Sequence, residues 1–239
     1  WDNEQTATTL SPLLLEECYE LMDAIRNNDV NAMAEELGDV LFLILFQIQI
    51  AEELEIFQHN EVLSSLILKL IRRHPHIFEK PEKLQASQEE ERWNTIKQFE
   101  KEDRGLSVLD GIPTNLPALS HASLIQKRAS LSNFDWEDID GVLDKVGEEL
   151  RELNNSQSSS GKEREFGDLL FTIVNVARWM GIDPEGALRQ TNQRFYDRFQ
   201  IVERMARDRN LKFSLLCSKD KESLWEDAKE QHILRDSED

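Results

Sequence analysis

Apolar residues recur along this chain at intervals of three and four. Leu13, Leu14, Tyr19 or Leu21, and Ile25 fall on one such stripe, and Leu37, Leu41, Ile44 and Ile48 on another. That spacing places side chains on one face of an α-helix. Thr9 or Ser11 suits the cap of the first helix, with Pro12 in its first turn. Asn27-Asn28-Asp29 closes that helix and a second begins near Asn31. The same periodicity predicts helices over 61–73, 88–103, 117–130, 137–153, 162–180, 184–209 and 220–232. Alternating strand-like runs are scarce, so the expected fold class is all-α.

Two breaks interrupt the helical pattern. The segment 105–117 holds Gly105, Gly111, Pro113 and Pro117, and reads as a linker between two domains. Asn154-Asn-Ser-Gln-Ser-Ser-Ser-Gly161 reads as a polar, flexible hairpin loop. The halves on either side of the linker resemble each other. Glu16-Glu17-Cys18-Tyr19-Glu20-Leu21 matches Glu148-Glu149-Leu150-Arg151-Glu152-Leu153, and Glu36-Leu37-Gly38-Asp39-Val40-Leu41-Phe42 matches Glu165-Phe166-Gly167-Asp168-Leu169-Leu170-Phe171. Lys69-Leu70-Ile71-Arg72-Arg73 follows in the first half and Arg194-Phe195-Tyr196-Asp197-Arg198 in the second. Trp93 and Trp225 close the two series, and Trp1-Asp2 and Asp135-Trp136 open them. Five matches in one order point to two divergent copies of a single unit. The expected domains are 1–104, a linker 105–117, and 118–239.

Composition narrows the partners. The 239 residues carry 28 Lys+Arg against 47 Asp+Glu, a net charge of −19. Such a chain lacks the basic face needed for a nucleic-acid polymer or an anionic membrane. The most apolar run, Val40–Phe46, is followed by Gln47 and Gln49, well short of the ~20 apolar residues of a spanning helix. No secretory signal pattern is present, and a start at Trp1 rather than Met reads as a fragment or processed chain. Two cysteines, Cys18 and Cys217, form no disulfide framework and point to a reducing, cytoplasmic setting. The His74-Pro75-His76 run lacks zinc-like partners and reads as a helix end.

The acidic blocks change the picture. Glu17 with Glu20, and Glu149 with Glu152, share a helix face; Glu36 with Asp39, and Glu165 with Asp168, do the same on the following helix. If each helix pair packs antiparallel, four carboxylates converge. One such block is ordinary solvated surface, but the whole set occurs twice, beside apolar runs. Like charges gathered in this way are destabilising and ask for a cation. Oxygen ligands without His or Cys suit Mg²⁺, with Mn²⁺ as substitute. Gly38 and Gly167 stand mid-helix at a cost of about 1 kcal/mol each, which close approach of a neighbouring helix or of a ligand would explain.

The paired E-E-x-x-E and E-x-x-D blocks in an all-α chain resemble the MazG nucleoside triphosphate pyrophosphohydrolases. This family belongs to the all-α NTP pyrophosphatases, with the dimeric dUTPases and phosphoribosyl-ATP pyrophosphohydrolases. The likeness covers nearly the whole chain, and Trp1–Thr6, Arg72–Phe78, Ile125–Ala129 and Phe134–Trp136 are similar to stretches of the two-copy bacterial members. The resemblance implies two tandem MazG-like helical bundles. It implies Mg²⁺-dependent hydrolysis of NTPs and dNTPs between the α and β phosphates, giving monophosphate and pyrophosphate. It also implies a homodimer, with which apolar faces over Val40–Phe46 and Leu169–Met180 are consistent.

Carried over residue by residue, the metal ligands would be Glu149, Glu152, Glu165 and Asp168, and in the first copy Glu17, Glu20, Glu36 and Asp39. Lys145, Arg194 and Arg198 would face the triphosphate and Trp225 the base, while Glu148 would either orient or deprotonate the attacking water, or hold a second metal. Lys162, Glu163 and Arg164 fill the stretch before the second acidic block in uncertain register. The copies differ at one informative place, because Leu13-Leu14-Leu15 stands where the second copy has Lys145-Val146-Gly147. Only the second copy offers a cation one turn before its acids, and Asn192 adds an amide for ribose or base. The second copy is therefore expected to be the active one, the first structural or regulatory. Two alternatives stand beside this reading: a non-catalytic metal-binding scaffold, and a pyrophosphatase restricted to dUTP or phosphoribosyl-ATP.

Overall fold

A computed structural model describes residues 4–78, 85–103 and 105–236. These residues form helices with no strand among them: α1 (Ala7–Arg26), α2 (Val30–Glu53), α3 (His59–Arg73), α4 (Pro75–Phe78), α5 (Ala86–Glu102), α6 (Ala118–Ser130), α7 (Ile139–Asn155), α8 (Ser159–Trp179), α9 (Pro184–Asp208) and α10 (Ser218–Asp236). A 3-10 turn, Phe213–Leu215, precedes α10. The chain divides into two compact units, Trp1–Lys97 and Gln98–Asp239. The all-α expectation holds. No helix among the described residues is long and apolar enough to cross a membrane.

The helix starts follow local hydrogen-bonding chemistry. The first cap lies at Thr6, one turn earlier than the expected Thr9 or Ser11. Thr9 N–H donates to Thr6 Oγ1 at 3.2 Å and Thr6 N–H to Thr9 Oγ1 at 2.9 Å, a reciprocal capping box. Pro12 consequently lies inside the helix rather than in its first turn. Asp29 caps α2 through the amides of Asn31 and Ala32, Asp138 caps α7 through Gly141, and Asp183 caps α9 with Pro184 directly after it. Each satisfies amides that a helix start leaves without a partner. The serine-rich stretch expected as a loop is mostly helix. Helix α7 runs to Asn155 and α8 begins at Ser159, because Ser158 accepts from Gly161 N–H and caps it. Trp1 and Asp2 lie outside the described residues.

Within the first unit, α1 and α2 pack as an antiparallel hairpin. Gln47 Nε2 donates to Ala7 O at 3.1 Å, so the start of α1 meets the far part of α2. Leu10, Leu43 and Ile50 form the core, with Leu13, Leu14 and Phe46 against it. Full burial of a side chain such as Leu10 contributes about 1.5–3 kcal/mol. Helix α3 has no buried residue, and α2 leaves Leu37, Leu41, Phe42 and Leu45 exposed. At the end of α3 the His74 ring Nδ1–H donates to Leu70 O at 2.7 Å, as expected for a helix end.

In the second unit α7 and α8 form the corresponding hairpin, with Val142, Leu169 and Val174 buried. Asp135, ahead of α7, pairs with Arg178 near the end of α8, and Arg178 Nε also donates to Asn175. A second core joins α9 to α10 through Ile201, Val202, Met205, Ala206, Leu224 and Ala228. The 105–117 segment is tied down on two sides: Lys101 Nζ donates to Val108 O and Asp110 O, and Arg128 donates to Asp110 O at 2.7 Å. Cys18 and Cys217 are free thiols.

A Cβ added at Gly38 or Gly167 would meet nothing within 4 Å. Close helix packing, one of the two expected reasons for these glycines, is therefore not what keeps them. Gly38→Ala and Gly167→Ala should each raise unfolding free energy by about 0.5–1 kcal/mol. Leu10→Ala should lower it by about 2–5 kcal/mol, both read from urea denaturation.

Candidate metal centres

The acidic blocks meet in both units. In the second, Glu149 of α7 and Glu165 and Asp168 of α8 bring carboxylate oxygens within 4.8 Å of one another. The antiparallel hairpin makes this possible, since residues a few turns from the loop face each other across it. Glu149 and Glu165 are only 4% and 6% exposed, whereas Asp168 faces solvent. Burying two carboxylates side by side costs several kcal/mol unless each is paired. Two cations answer that cost. Lys145 Nζ stands 2.9 Å from Glu149 Oε1 and 2.8 Å from Glu148 Oε1. Arg164 reaches Glu165 Oε1 through both Nε, at 3.2 Å, and Nη2. One atom stays unanswered: Glu149 Oε2 is buried with no hydrogen-bond partner.

The titration behaviour follows from these contacts. Hydrogen bonds to Glu148 and then Glu149 hold the Lys145 ammonium well above the ordinary lysine range. The same lysine holds Glu148 below the usual carboxylate range. Glu152 is exposed and outside the close trio, and is pushed up, first by desolvation and then by the charges of Glu149 and Glu165.

The first unit assembles a different three of its four acids. Glu17, Glu20 and Glu36 bring oxygens within 4.8 Å, and Asp39 is exposed outside them. Burial, followed by the charge of Glu20, pushes both Glu17 and Glu36 above the usual carboxylate range, and a hydrogen bond links their side chains. Where the second copy has Lys145 and Arg164, the first has Leu13 and Glu35. One trio is thus paired with cations, whereas the acids of the other are pushed up by burial and by one another.

Both trios offer oxygen alone, without thiolate or imidazole, a donor set suited to Mg²⁺ or Mn²⁺. The second, with its buried unpartnered oxygen, fits a divalent ion.

The expected substrate-facing residues lie on α9 and α10. Arg194 is exposed, its Nη2 donating to Thr191 Oγ1 at 2.8 Å. Arg198 keeps a buried Nε with no hydrogen-bond partner. Asn192 is exposed on α9. Trp225 is half-buried, packed on the α9–α10 core, with the Phe195 ring centroid 5.1 Å from its own. Sequence reasoning assigned no role to Arg164 or Phe195. The signal for Arg164 was its place directly before Glu165, opposite Glu35 in the other copy.

The MazG nucleotide pyrophosphohydrolase domain matches residues 5–78. The chain is 42% identical over 229 residues to the nucleoside triphosphate pyrophosphohydrolase/pyrophosphatase MazG of Thermotoga maritima, covering 96% of this chain and 88% of that protein. It is 40% identical over 239 residues to the nucleoside triphosphate pyrophosphohydrolase of Escherichia coli, covering 98% of this chain and 91% of that one. It also matches the uncharacterized protein YabN of Bacillus subtilis at 40%, but spans only 48% of that longer protein.

The first trio gives a pH prediction for metal-free protein. Because Glu17 and Glu36 titrate higher when folded than their ordinary 4.5, the folded state binds more protons across that window. Their contribution to stability therefore falls as pH rises through it. In EDTA, the melting temperature of Glu17→Gln should depend less on pH than that of the parent, with the variant gaining most at neutral pH.

Proposed function

The chain belongs to the MazG nucleotide pyrophosphohydrolase family, and from that footing we propose that its second unit is a Mg²⁺-dependent nucleoside triphosphate pyrophosphohydrolase. It splits NTPs and dNTPs between the α and β phosphates, releasing monophosphate and pyrophosphate. The observation that carries this reading is the buried, unpartnered Glu149 Oε2 in an all-carboxylate cradle with Lys145 beside it.

Glu149, Glu152, Glu165 and Asp168 would hold the cation. When bound, Mg²⁺ supplies charge neutralisation on the phosphate oxygens and a more acidic water. The remaining work falls to the side chains of the chain. Lys145, with Arg194 and Arg198, binds the triphosphate and stabilises charge on the leaving pyrophosphate. The unsatisfied Nε of Arg198 supports that assignment. Glu148, held below the usual range by Lys145, is a weak base while that pairing lasts. Transfer of Lys145 to a phosphate would restore its basicity and let it orient and deprotonate the attacking water in line with the leaving group. Trp225, with Phe195 against it, offers an aromatic surface for the base, and Asn192 an amide for ribose or base.

The first unit, with Leu13 and Glu35 in place of Lys145 and Arg164, lacks these cations beside its acids and is structural or regulatory. The exposed apolar residues Leu41, Phe42 and Leu45 of α2, and Leu170, Phe171 and Ile173 of α8, support assembly as a homodimer.

Incubation with Mg²⁺ and a panel of NTPs and dNTPs should yield monophosphate and pyrophosphate, resolved by anion-exchange chromatography. Products of diphosphate and inorganic phosphate would refute the assignment, as would turnover in excess EDTA. Glu149→Gln should reduce kcat by more than about 100-fold, and Glu17→Gln should largely spare it. The reverse pattern would move the active centre to the first unit.

A further inference from the structure

The cation on Glu165 is unlike the one on Glu149. Lys145 bridges two carboxylates and is itself two-thirds covered, at 32% side-chain exposure. The Arg164 side chain is 75% exposed and bonds to a single oxygen, Oε1, of the buried Glu165 side chain, which is 8% exposed. A long, solvated side chain on the second turn of α8 therefore rests on a carboxylate that the divalent-ion site also needs. Glu165 and Asp168, two of the four candidate ligands, follow Arg164 on the same helix by one and four residues. The first copy, with Glu35 at this position, has no such guanidinium beside Glu36.

An oxygen that is occupied by a guanidinium is a poorer metal ligand, and an arginine that loses its carboxylate retains a rigid, bidentate fork suited to phosphate oxygens. We propose that Arg164 is a displaceable counter-ion: it neutralises Glu165 in the metal-free site, yields that carboxylate to the divalent cation, and then turns to bind a phosphate of the incoming triphosphate. This rests on the pyrophosphohydrolase reading for the identity of its second ligand. Arg164 would hold the buried Glu165 carboxylate in place before loading. It would also couple cation entry to the exposure of a phosphate-binding group. Arg164 itself is largely solvated and gives up little burial of its own on leaving, so displacement is accessible to a divalent ion.

Binding measurements without turnover test both halves. On a Glu17→Gln background, which disables the other trio, free Mn²⁺ is followed by electron paramagnetic resonance during titration. Arg164→Gln should bind Mn²⁺ roughly two- to fivefold more tightly than its parent, because Glu165 no longer has to be released. It should bind an α,β-methylene nucleoside triphosphate with Mg²⁺ about tenfold more weakly, and Arg164→Lys should recover part of that loss. Unchanged or weaker Mn²⁺ binding overturns the counter-ion role, and unchanged analogue affinity overturns the transfer to phosphate. A parent protein that binds Mn²⁺ yet releases no pyrophosphate from any NTP would refute the proposed function, while the Mn²⁺ comparison would still decide the role of Arg164 at Glu165. Circular dichroism confirms that each variant is folded.

Discussion

Carboxylates that repel one another are gathered where two helices meet, and the hairpins are organised around answering that repulsion. In the second unit the answer is electrostatic pairing: one cation from each helix, Lys145 on α7 and Arg164 on α8, each seated on a buried acid. In the first unit the acids are less deeply buried, and burial and mutual repulsion push Glu17 and Glu36 above the usual carboxylate range. The two copies thus meet one electrostatic problem differently. Only the second has cationic groups beside its acids, at Lys145 and Arg164. A duplicated hairpin thereby carries two different electrostatic arrangements on one fold.

Under the proposed function, that difference would let a chain of net charge −19 accept a polyanion. The excess of acid excludes broad electrostatic attraction of nucleic-acid polymers. It leaves room for a small anion whose charge is met locally by lysine, arginine and a divalent ion. Lys145 has two functions in this scheme, as the partner of Glu148 and Glu149 before substrate arrives and as a phosphate ligand afterwards. Its departure from Glu148 would change that carboxylate from a suppressed base to an effective one. Binding and activation would then be linked through a single side chain.

Much of this was legible along the chain. The three- and four-residue spacing predicted every long helix, because burial of an amphipathic face leaves that mark on any sequence. The repeated acidic blocks identified both hairpins. The first cap was misplaced because Thr6, Thr9 and Ser11 are chemically equivalent on paper. Only the reciprocal Thr6–Thr9 bonding distinguishes them, and once Thr6 is the cap, Pro12 must lie inside the helix. The serine-rich stretch reads as a flexible loop by composition, yet Ser158 is an effective cap and converts Ser159 onward into the first turn of α8. The glycines of the two E-x-G-D blocks suggested tight helix contact, but a methyl group would have room at both.

The sequence by itself determined the helical class, the duplication, and which carboxylates share a helix face, since these depend on periodicity and on residue identity at fixed spacing. Tertiary structure decided which three of the four acids in each copy draw together. It also decided that Glu149 and Glu165 are buried while Asp168 is not, and that an oxygen of Glu149 is left without a partner. Those outcomes depend on how two helices turn toward each other and on which side chains their meeting encloses. Spacing along one helix carries no information about either. The pairing of Arg164 with Glu165 belongs to the same class: adjacent in sequence, the two residues acquire significance because one is exposed and the other is enclosed.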